Sequence, residues 1–235
     1  MTVLRADSIA RSFGGRQVLT SATITAGEGE IVALVGRNGV GKSTLLNIAC
    51  GHDGADSGTV TFMRRAYLDA SADALARAGL FLVPARDLLP TSLSIGDSLA
   101  CARRAGDRRA LDVAEVAERL GLEAVLGLRP QAASGGERRR AELACAVIRA
   151  PRCLVADEPF RGVSPLDAEC LCAEFRRAAA AGVAVIVSGH ELPALFAIAS
   201  RVVWCTDGTT QNLGSPAHAA ADWRFMSELV GPRGL

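Results

Sequence analysis

Lysine is almost absent from this sequence of 235 residues, in which arginine occurs 25 times and lysine once, at position 42. Such a bias indicates a GC-rich coding background that replaces lysine wherever arginine serves equally well. The position that keeps lysine therefore marks a place where arginine does not serve. The sequence also lacks an excess of charge of one sign, because it has 26 basic and 25 acidic residues. This balance does not favour a nucleic-acid partner.

Long apolar runs are also missing. The longest strongly apolar stretch without a charge, Ala178–Gly189, has 12 residues, whereas a bilayer-spanning helix needs about 20. Arg5 and Asp7 interrupt the N-terminus before an apolar segment of a secretory signal could form. We therefore expect a cytoplasmic protein of about one large domain that reaches a membrane only through another anchor.

Paired cysteine motifs are absent. The seven cysteines are odd in number, lie in apolar segments and include no CxxC pair. Cys170 and Cys172 are two residues apart, a spacing that points them to different sides of a helix. We expect reduced, buried thiols that bind no metal, as is usual in the cytosol.

Short apolar runs alternate with helical patterns, which favours an α/β fold with a mostly parallel sheet. Two earlier segments, Val3–Ile9 and Val18–Ile24, alternate in polarity and predict an antiparallel edge. Four later runs predict buried strands, the last more weakly than the others: Ile31–Val35, Cys153–Ala156, Val183–Val187 and Val202–Cys205.

No strand is predicted between about residues 85 and 150. Val113, Val116, Ala117 and Leu120 follow helical spacing, and residues 143–148 form a second apolar helix face. This region is interpreted as a helical insertion. The prediction is a single domain with a core of about residues 1–84 and 151–235 and a helical part of about 85–150.

A glycine-rich loop follows the strand Ile31–Val35 and fits the pattern G-x-x-x-x-G-K-[ST]. Its glycines let backbone N–H groups turn inward around phosphate oxygens, and the next helix adds partial positive charge. A lysine reaches the β/γ-phosphates, and a serine hydroxyl suits Mg²⁺. The residues assigned to this phosphate site are Gly36, Asn38, Gly39, Gly41, Lys42, Ser43 and Thr44.

Two carboxylates, Asp157 and Glu158, follow the strand Cys153–Ala156. The carboxyl end of a parallel strand borders the crevice in which such sheets bind ligands. Asp157 is placed to hold Mg²⁺, together with Ser43, and Glu158 to polarise an attacking water. Next to the phosphate loop, this interpretation is favoured over an ordinary acidic loop.

Two further features each allow two interpretations. The segment Ser134–Glu137, made of Ser134, Gly135, Gly136 and Glu137, is either a capping box that starts a helix or a second anion site. His190 follows the strand Val183–Val187. It is either a structural histidine or a residue of the same crevice.

Taken together and in this order, these residues resemble the ATP-binding subunit of an ABC transporter over nearly the whole chain. The resemblance implies that Gly36–Thr44 is the Walker A motif, Ser134–Glu137 the signature sequence and Leu154–Asp157 the Walker B motif. Glu158 matches the catalytic glutamate and His190 the switch histidine. Phe13 matches the aromatic residue that stacks on adenine, and its alternative is a core phenylalanine.

The resemblance also implies cofactors and partners. These are ATP and Mg²⁺, a second ATP-binding subunit arranged head to tail, and transmembrane permease subunits at the cytoplasmic face of the membrane. Two ATP molecules lie between Walker A of one subunit and the signature sequence of the other. A homodimer and a heterodimer both agree with the sequence.

The segment Asp157–Pro165 is similar to the branch of branched-chain amino-acid importers and the lipopolysaccharide-export ATPase. Two positions depart from the family. Ala85 replaces the glutamine that helps hold Mg²⁺ and water, and Ser164 replaces an aspartate that supports the opposite subunit's site. Asp167 is interpreted as ordinary helix-start charge.

The leading hypothesis is a transport ATPase with slow turnover because of Ala85. Two alternatives are a regulatory, degenerate cassette and a soluble ABC ATPase of DNA repair, translation or cofactor assembly. The near-neutral single cassette argues against the soluble class, because such proteins commonly have tandem cassettes, a coiled-coil insertion or basic arms.

Overall fold

The computed structural model describes residues 1–67, 71–86, 88–106 and 108–231, and these form one mixed sheet with helices on both faces. The strands of the described residues are β1 (Thr2–Phe13), β2 (Arg16–Gly27), β3 (Ile31–Val35), β4 (Ser57–Phe62), β5 (Arg65–Tyr67), β6 (Leu80–Val83), β7 (Cys153–Ala156), β8 (Ala184–Gly189), β9 (Arg201–Thr206) and β10 (Thr209–Gly214). The helices of the described residues are α1 (Lys42–Ala49), α2 (Ala72–Ala78), α3 (Ile95–Ala105), α4 (Val113–Arg119), α5 (Gly135–Ile148), α6 (Pro165–Ala180), α7 (Leu192–Ile198), α8 (Pro216–Ala221) and α9 (Trp223–Leu229).

The strand order is β5-β4-β1-β2-β10-β9-β3-β8-β7-β6. Strands β9, β3, β8, β7 and β6 are parallel, and β5, β4, β1 and β2 pair antiparallel. Register pairs such as Val35 with Gly189 and Ala156 with Val187 bring the carboxyl ends of β3, β7 and β8 to one edge. This edge is where the candidate functional residues converge.

The α/β fold class is confirmed, and all six predicted strands form. The sequence analysis did not identify β4, β5, β6 and β10. Because β4, β5 and β10 have antiparallel neighbours, the antiparallel part is larger than expected, whereas β6 extends the parallel part beside β7. As a result, β1 and β2 lie inside the sheet, and its two edge strands are β5 and β6. The missed strands β5 and β10 have no fully buried residue, so they lack the apolar run that marks a buried strand.

The helical region is confirmed as strand-free over the described residues between 85 and 150. Val116, Ala117 and Leu120 are buried as predicted, and Val113 packs partly buried against them. These side chains share one hydrophobic cluster with residues of the sheet such as Leu154. The division into a core and a helical part therefore stays a prediction.

The cysteines are free thiols. Five of them are buried and Cys170 is partly buried, but Cys101 is exposed, so the expectation of burial was wrong at that position. Desolvation by burial raises the pKa of the Cys145 and Cys153 thiols to about 12, which keeps them protonated.

None of the helices in the described part of the chain has the length and apolar content to cross a bilayer.

Candidate functional site

The loop Gly36–Gly41 connects β3 to α1, and its shape depends on glycine. A Cβ atom on Gly36 would lie 2.3 Å from the carbonyl oxygen of Cys205. Gly41 has φ +112°, and a Cβ atom there would lie 2.7 Å from Cδ2 of Leu19. Any side chain at these two positions would displace the loop, so the close packing explains both glycines of the motif.

Helix α1 begins without a side-chain cap. Gly41 is its N-cap residue, no side chain accepts a hydrogen bond there, and no acidic residue lies in the first turn. By contrast, serine or aspartate side chains cap α2 to α6, α8 and α9. The first N–H groups of α1 and its positive dipole end therefore fit an anion such as a phosphate.

Lys42, the first residue of α1, is buried to 4% exposure. Its Nζ donates hydrogen bonds to the carbonyl oxygens of Gly36 at 2.8 Å and Arg37 at 3.1 Å. A compact ammonium group fits between these carbonyls, whereas the planar fork of arginine is wider and donates along fixed directions. The geometry gives a physical reason for the single lysine of the chain.

Asp157 lies directly after β7 and is buried. Its Oδ1 accepts a hydrogen bond from the hydroxyl of Ser188, near the end of β8. The same hydroxyl oxygen accepts from the backbone N–H of Glu158 at 3.1 Å. Ser188 thus fixes both carboxylate residues from the neighbouring strand, and the sequence analysis did not identify it.

Glu158 has a backbone φ of +49°, a region that costs free energy for a residue with a side chain. Its Oε1 lies 3.9 Å from Nζ of Lys42, so the structure joins the loop to the carboxylate pair. Oε2 lies 3.3 Å from Nη1 of Arg161. The strained backbone and the charged neighbours are typical of a functional carboxylate.

His190 lies in the same crevice, as the second of its two interpretations expects. Its Nδ1 is 3.9 Å from Oε1 of Glu158, and its Nε2 is 3.4 Å from Oε1 of Glu191. About 40% of the side chain is exposed. A structural core histidine would be buried, so the geometry favours a role in the site.

The segment Ser134–Glu137 forms the capping box that the sequence allowed. The Ser134 hydroxyl accepts from the Glu137 N–H, and Oε2 of Glu137 accepts from the Ser134 N–H at 2.7 Å. These hydrogen bonds lower the pKa of the Glu137 carboxyl. Among the described residues, no hydrogen bond or ion pair joins this segment to the phosphate loop of the same chain.

Asp167 lies in the first turn of α6, as expected for helix-start charge, but it also makes contacts outside that turn. Its carboxylate accepts from the Ser164 hydroxyl at 2.6 Å and pairs with Nε of Arg140 at 3.0 Å. A Cβ atom on Gly136 would lie 2.1 Å from Oδ2 of Asp167. The start of α6 is thus locked onto the signature helix α5, and Gly136 is required for this contact.

The loop after β6, which contains Ala85, is held through its backbone. Nη1 of Arg139 donates to the carbonyl oxygen of Pro84 at 3.2 Å, and Nη2 donates to the carbonyl oxygen of Ala85. Arg139 is itself paired at 2.7 Å with the buried carboxylate of Glu142. Arg139 was not identified from the sequence, since the two carbonyl groups that it holds lie more than 50 residues away along the chain.

Phe13 lies at the end of the β1–β2 hairpin and is 45% exposed. The guanidinium carbon of Arg11 lies 4.7 Å from the centre of its ring. Its alternative as a core phenylalanine is therefore wrong. An exposed ring with one face against a cation leaves an aromatic surface that suits stacking on a base.

Comparison with known families supports the geometry, because the model of the family described as ABC transporter matches residues 19–161. The chain belongs to the ABC transporter family. Within this family it is an ATP-binding subunit and an ATPase, which confirms the resemblance found in the sequence.

Curated relatives span the whole chain. The lipopolysaccharide export system ATP-binding protein LptB of Escherichia coli (strain K12) is 28% identical over 98% of this chain and 98% of that protein. The Fe(3+) ions import ATP-binding protein FbpC of Mesorhizobium japonicum is 31% identical over 98% of this chain and 66% of that protein. The similarity to LptB agrees with the branch that the segment Asp157–Pro165 indicated.

Solved structures match this ABC ATPase chain in fold. A cassette of an ABC transporter in its ADP conformation has a TM-score of 0.85 and 20% identity, over 98% of this chain and 99% of that one. A dimeric cassette bound to ADP and Pi has a TM-score of 0.79 and 22% identity, over 89% and 98% of the two chains. The likeness establishes the fold of the cassette.

Replacing Ser188 with alanine is expected to lower the free energy of unfolding by about 1–3 kcal/mol and to reduce turnover. The reason is that two buried groups, on Asp157 and Glu158, lose their partner. Ser98→Ala is the matched control, because Ser98 is also buried but its hydroxyl bonds only within its own helix turn. Urea unfolding that gives equal losses for both variants would contradict the role of Ser188.

Proposed function

We propose that this chain energises a membrane transporter by binding and hydrolysing MgATP at a head-to-tail dimer interface. The observation that carries the proposal is the 3.9 Å approach of Lys42 to Glu158, which joins a phosphate loop to a carboxylate pair. A glycine-rich turn alone would not need a buried acidic pair opposite its lysine.

The residues proposed to bind the nucleotide are those of the loop and of the β1–β2 hairpin. The uncapped amides of α1 and the Lys42 ammonium receive the phosphates, and the exposed ring of Phe13 receives the adenine. Lys42 then exchanges its bonds to the Gly36 and Arg37 carbonyls for bonds to phosphate oxygens. The other proposed phosphate contacts are Asn38, Gly39, Gly41, Ser43 and Thr44.

Mg²⁺ fits the oxygen donors of the site, namely the Ser43 hydroxyl and the Asp157 carboxylate. Magnesium is usually held by one or two carboxylates together with substrate phosphates, and it neutralises charge on the phosphates when bound. Over the described ranges, no group of three or more His, Cys, Asp or Glu side chains forms a separate metal site.

Glu158 is proposed to orient and deprotonate the attacking water, and His190 to support it from the end of β8. Both side chains reach the same crevice, where Oε1 of Glu158 faces Nδ1 of His190. Positioned general-base chemistry is typically worth about 10²–10⁴-fold in rate.

The signature segment Ser134–Glu137 is proposed to act on the ATP of a second subunit. Two facts support this. Within the described chain the segment makes no bond to its own phosphate loop, and the N–H groups of its two glycines, Gly135 and Gly136, donate to no side chain among the described residues. The second subunit is either a copy of this chain or another ATP-binding subunit.

Permease subunits are the proposed partners, and the proposed location is the cytoplasmic face of the plasma membrane. The relatives LptB and FbpC are named as ATP-binding proteins of an export and of an import system. Their names support a transport role and leave the direction open.

Co-purification tests this function. We expect the tagged full chain, isolated from detergent-solubilised membranes of its source, to bring down an integral membrane subunit that changes its ATPase rate several-fold. Recovery of a folded, ATP-binding chain without any membrane subunit would contradict the transport role.

A regulatory cassette with slow hydrolysis is a second candidate, favoured by two positions. Ala85 offers neither donor nor acceptor from its side chain, and Ser164 uses its hydroxyl to cap α6 and to bond Asp167. Neither side chain can serve the site in the way that glutamine and aspartate serve it in the family.

Replacing Ala85 with glutamine is expected to raise kcat several-fold and to leave ATP affinity nearly unchanged. A glutamine there adds a contact to water and Mg²⁺ that matters at the chemical step, whereas binding rests on Lys42, the loop amides and Phe13. Steady-state kinetics and ATP titration measure the two effects separately.

The control for this prediction is Arg86→Ala. If the exposed Arg86, or a water it holds, already orients the attacking water, Ala85→Gln is silent and Arg86→Ala lowers turnover. That pair of results would contradict the role assigned to the missing glutamine.

A further inference from the structure

Arg161 lies three residues after Glu158 and contacts the carboxylate of Glu158, which is proposed to be catalytic. Its Nη1 lies 3.3 Å from Oε2 of Glu158, and its backbone N–H donates to the Glu158 carbonyl oxygen at 3.2 Å. The Glu158 side chain is 10% exposed, while that of Arg161 is 51% exposed. A mostly buried carboxylate is therefore paired with a half-exposed cation.

The two oxygens of Glu158 are engaged on different sides. Oε1 faces Lys42 and His190, each at 3.9 Å, and Oε2 faces Arg161. A general base must direct a lone pair at a water molecule, which requires one oxygen to be open. Of these three neighbours Arg161 has the most exposed side chain, at 51% against 40% for His190 and 4% for Lys42, so a half-exposed cation covers the approach to Oε2.

The segment that carries Arg161 is fixed at one end and close to the signature helix at the other. Phe160 is buried and packs edge-on against Phe175, with ring centres 6.0 Å apart. At the other end, the carbonyl oxygen of Gly162 lies 4.0 Å from where a Cβ atom on Gly135 would be. A second subunit that binds at the signature segment would therefore also meet this loop.

We propose that Arg161 is a positioning residue that covers Oε2 of Glu158 until a second subunit docks on the signature segment. Before docking, this contact suppresses hydrolysis by the single chain. This inference rests on the proposed function. Because the Arg161 side chain is half exposed, its ion pair with Glu158 contributes little free energy. The pair can therefore break when the loop contacts the other subunit.

The first experiment measures the ATPase rate of the full chain as a function of its concentration, for the unmodified protein and for Arg161→Ala. At concentrations too low for dimers, we expect Arg161→Ala to raise kcat about two- to fivefold, the scale of an exposed ion pair. ATP affinity is expected to change less than twofold. Arg161→Lys keeps the positive charge, so its kcat is expected to stay close to that of the unmodified protein.

The matched control is Arg177→Ala. Arg177 pairs with Glu174 at the same sequence spacing and at 3.6 Å, and its side chain is also largely exposed, but it lies in α6. We expect no change in kcat for this variant. An equal rise in both variants would overturn the inference, because it would show a general effect of losing a surface arginine.

A double-variant cycle separates positioning from a structural role. In the Glu158→Gln background, Arg161→Ala should leave the residual turnover unchanged, since no carboxylate is left to cover. Without nucleotide, the melting temperatures of the two single variants and the double variant should be non-additive, as expected for residues in contact. Additive melting shifts, or the same fold-change in turnover in both backgrounds, would overturn the inference.

The outcomes for the two proposals differ. If the unmodified chain binds and hydrolyses ATP and Glu158→Gln loses hydrolysis but keeps binding, while Arg161→Ala is no faster than the unmodified chain, only the role of Arg161 fails. If the folded chain neither binds nor hydrolyses ATP under any condition, the proposed function fails. Arg161→Gln is a second variant of similar size in case the alanine variant does not fold.

Discussion

Glu158→Gln is expected to slow ATP hydrolysis by at least about 100-fold while ATP binding is preserved, the scale of losing a positioned general base. Glutamine keeps the size of the side chain and the backbone conformation at φ +49°, but it cannot accept a proton from water. Single-turnover kinetics with labelled ATP, together with a binding titration, measure both effects on one preparation.

The matched control for this change is Glu174→Gln. Glu174 is also a buried glutamate with arginine partners, Arg119 and Arg177, but it lies in α6 away from the phosphate loop. Its substitution is expected to lower stability and to leave turnover of the folded fraction nearly unchanged. Unchanged turnover in Glu158→Gln would remove Glu158 from catalysis.

Lys42→Arg is expected to weaken ATP binding by about 10- to 150-fold, equivalent to about 1.5–3 kcal/mol for charge-assisted hydrogen bonds. The buried position between the Gly36 and Arg37 carbonyls admits an ammonium group but not the wider guanidinium. Lys42→Ala should lose at least as much. Fluorescent-nucleotide titration checks the affinity, and circular dichroism checks that the fold persists.

Arg103→Lys, the reverse exchange at an exposed position of α3, is the control for handling and expression. Near-normal nucleotide affinity in a well-folded Lys42→Arg protein would contradict the assignment of the loop. It would also leave the retention of a single lysine among 25 arginines without a chemical reason.

The sequence predicted those parts of the fold in which local pattern and tertiary environment agree. The strand Ile31–Val35 is apolar throughout and buried on both faces, so its pattern identifies it. The strand Thr209–Gly214 has polar residues and two exposed ones, and it forms because β2 and β9 lie on either side of it. No local signal distinguishes such a strand from a loop.

The same distinction holds for the site. Lys42, Asp157 and Glu158 belong to contiguous motifs that directly follow strands, so spacing alone places them. Ser188 and Arg139 act on residues 30 or more positions away, through hydrogen bonds that only the folded chain creates. Their residue types are ordinary for a strand end and for a helix, and a single sequence contains no signal for their contacts.

Asp167 illustrates how a correct local interpretation can be incomplete. It does lie in the first turn of α6, and its N–H is bonded to the Ser164 hydroxyl. The ion pair to Arg140 and the close approach to Gly136 come from the packing of α6 on α5, which helix-start charge does not predict.

The central claim is that two cassettes enclose ATP between the phosphate loop of one and the signature segment of the other. The most direct measurement is light scattering of the Glu158→Gln chain with and without MgATP, because this variant is expected to bind ATP without consuming it. We predict that the mass doubles when MgATP is added and returns to that of one chain when the nucleotide is removed. A chain that binds ATP and keeps the mass of a monomer at every concentration would contradict the claim.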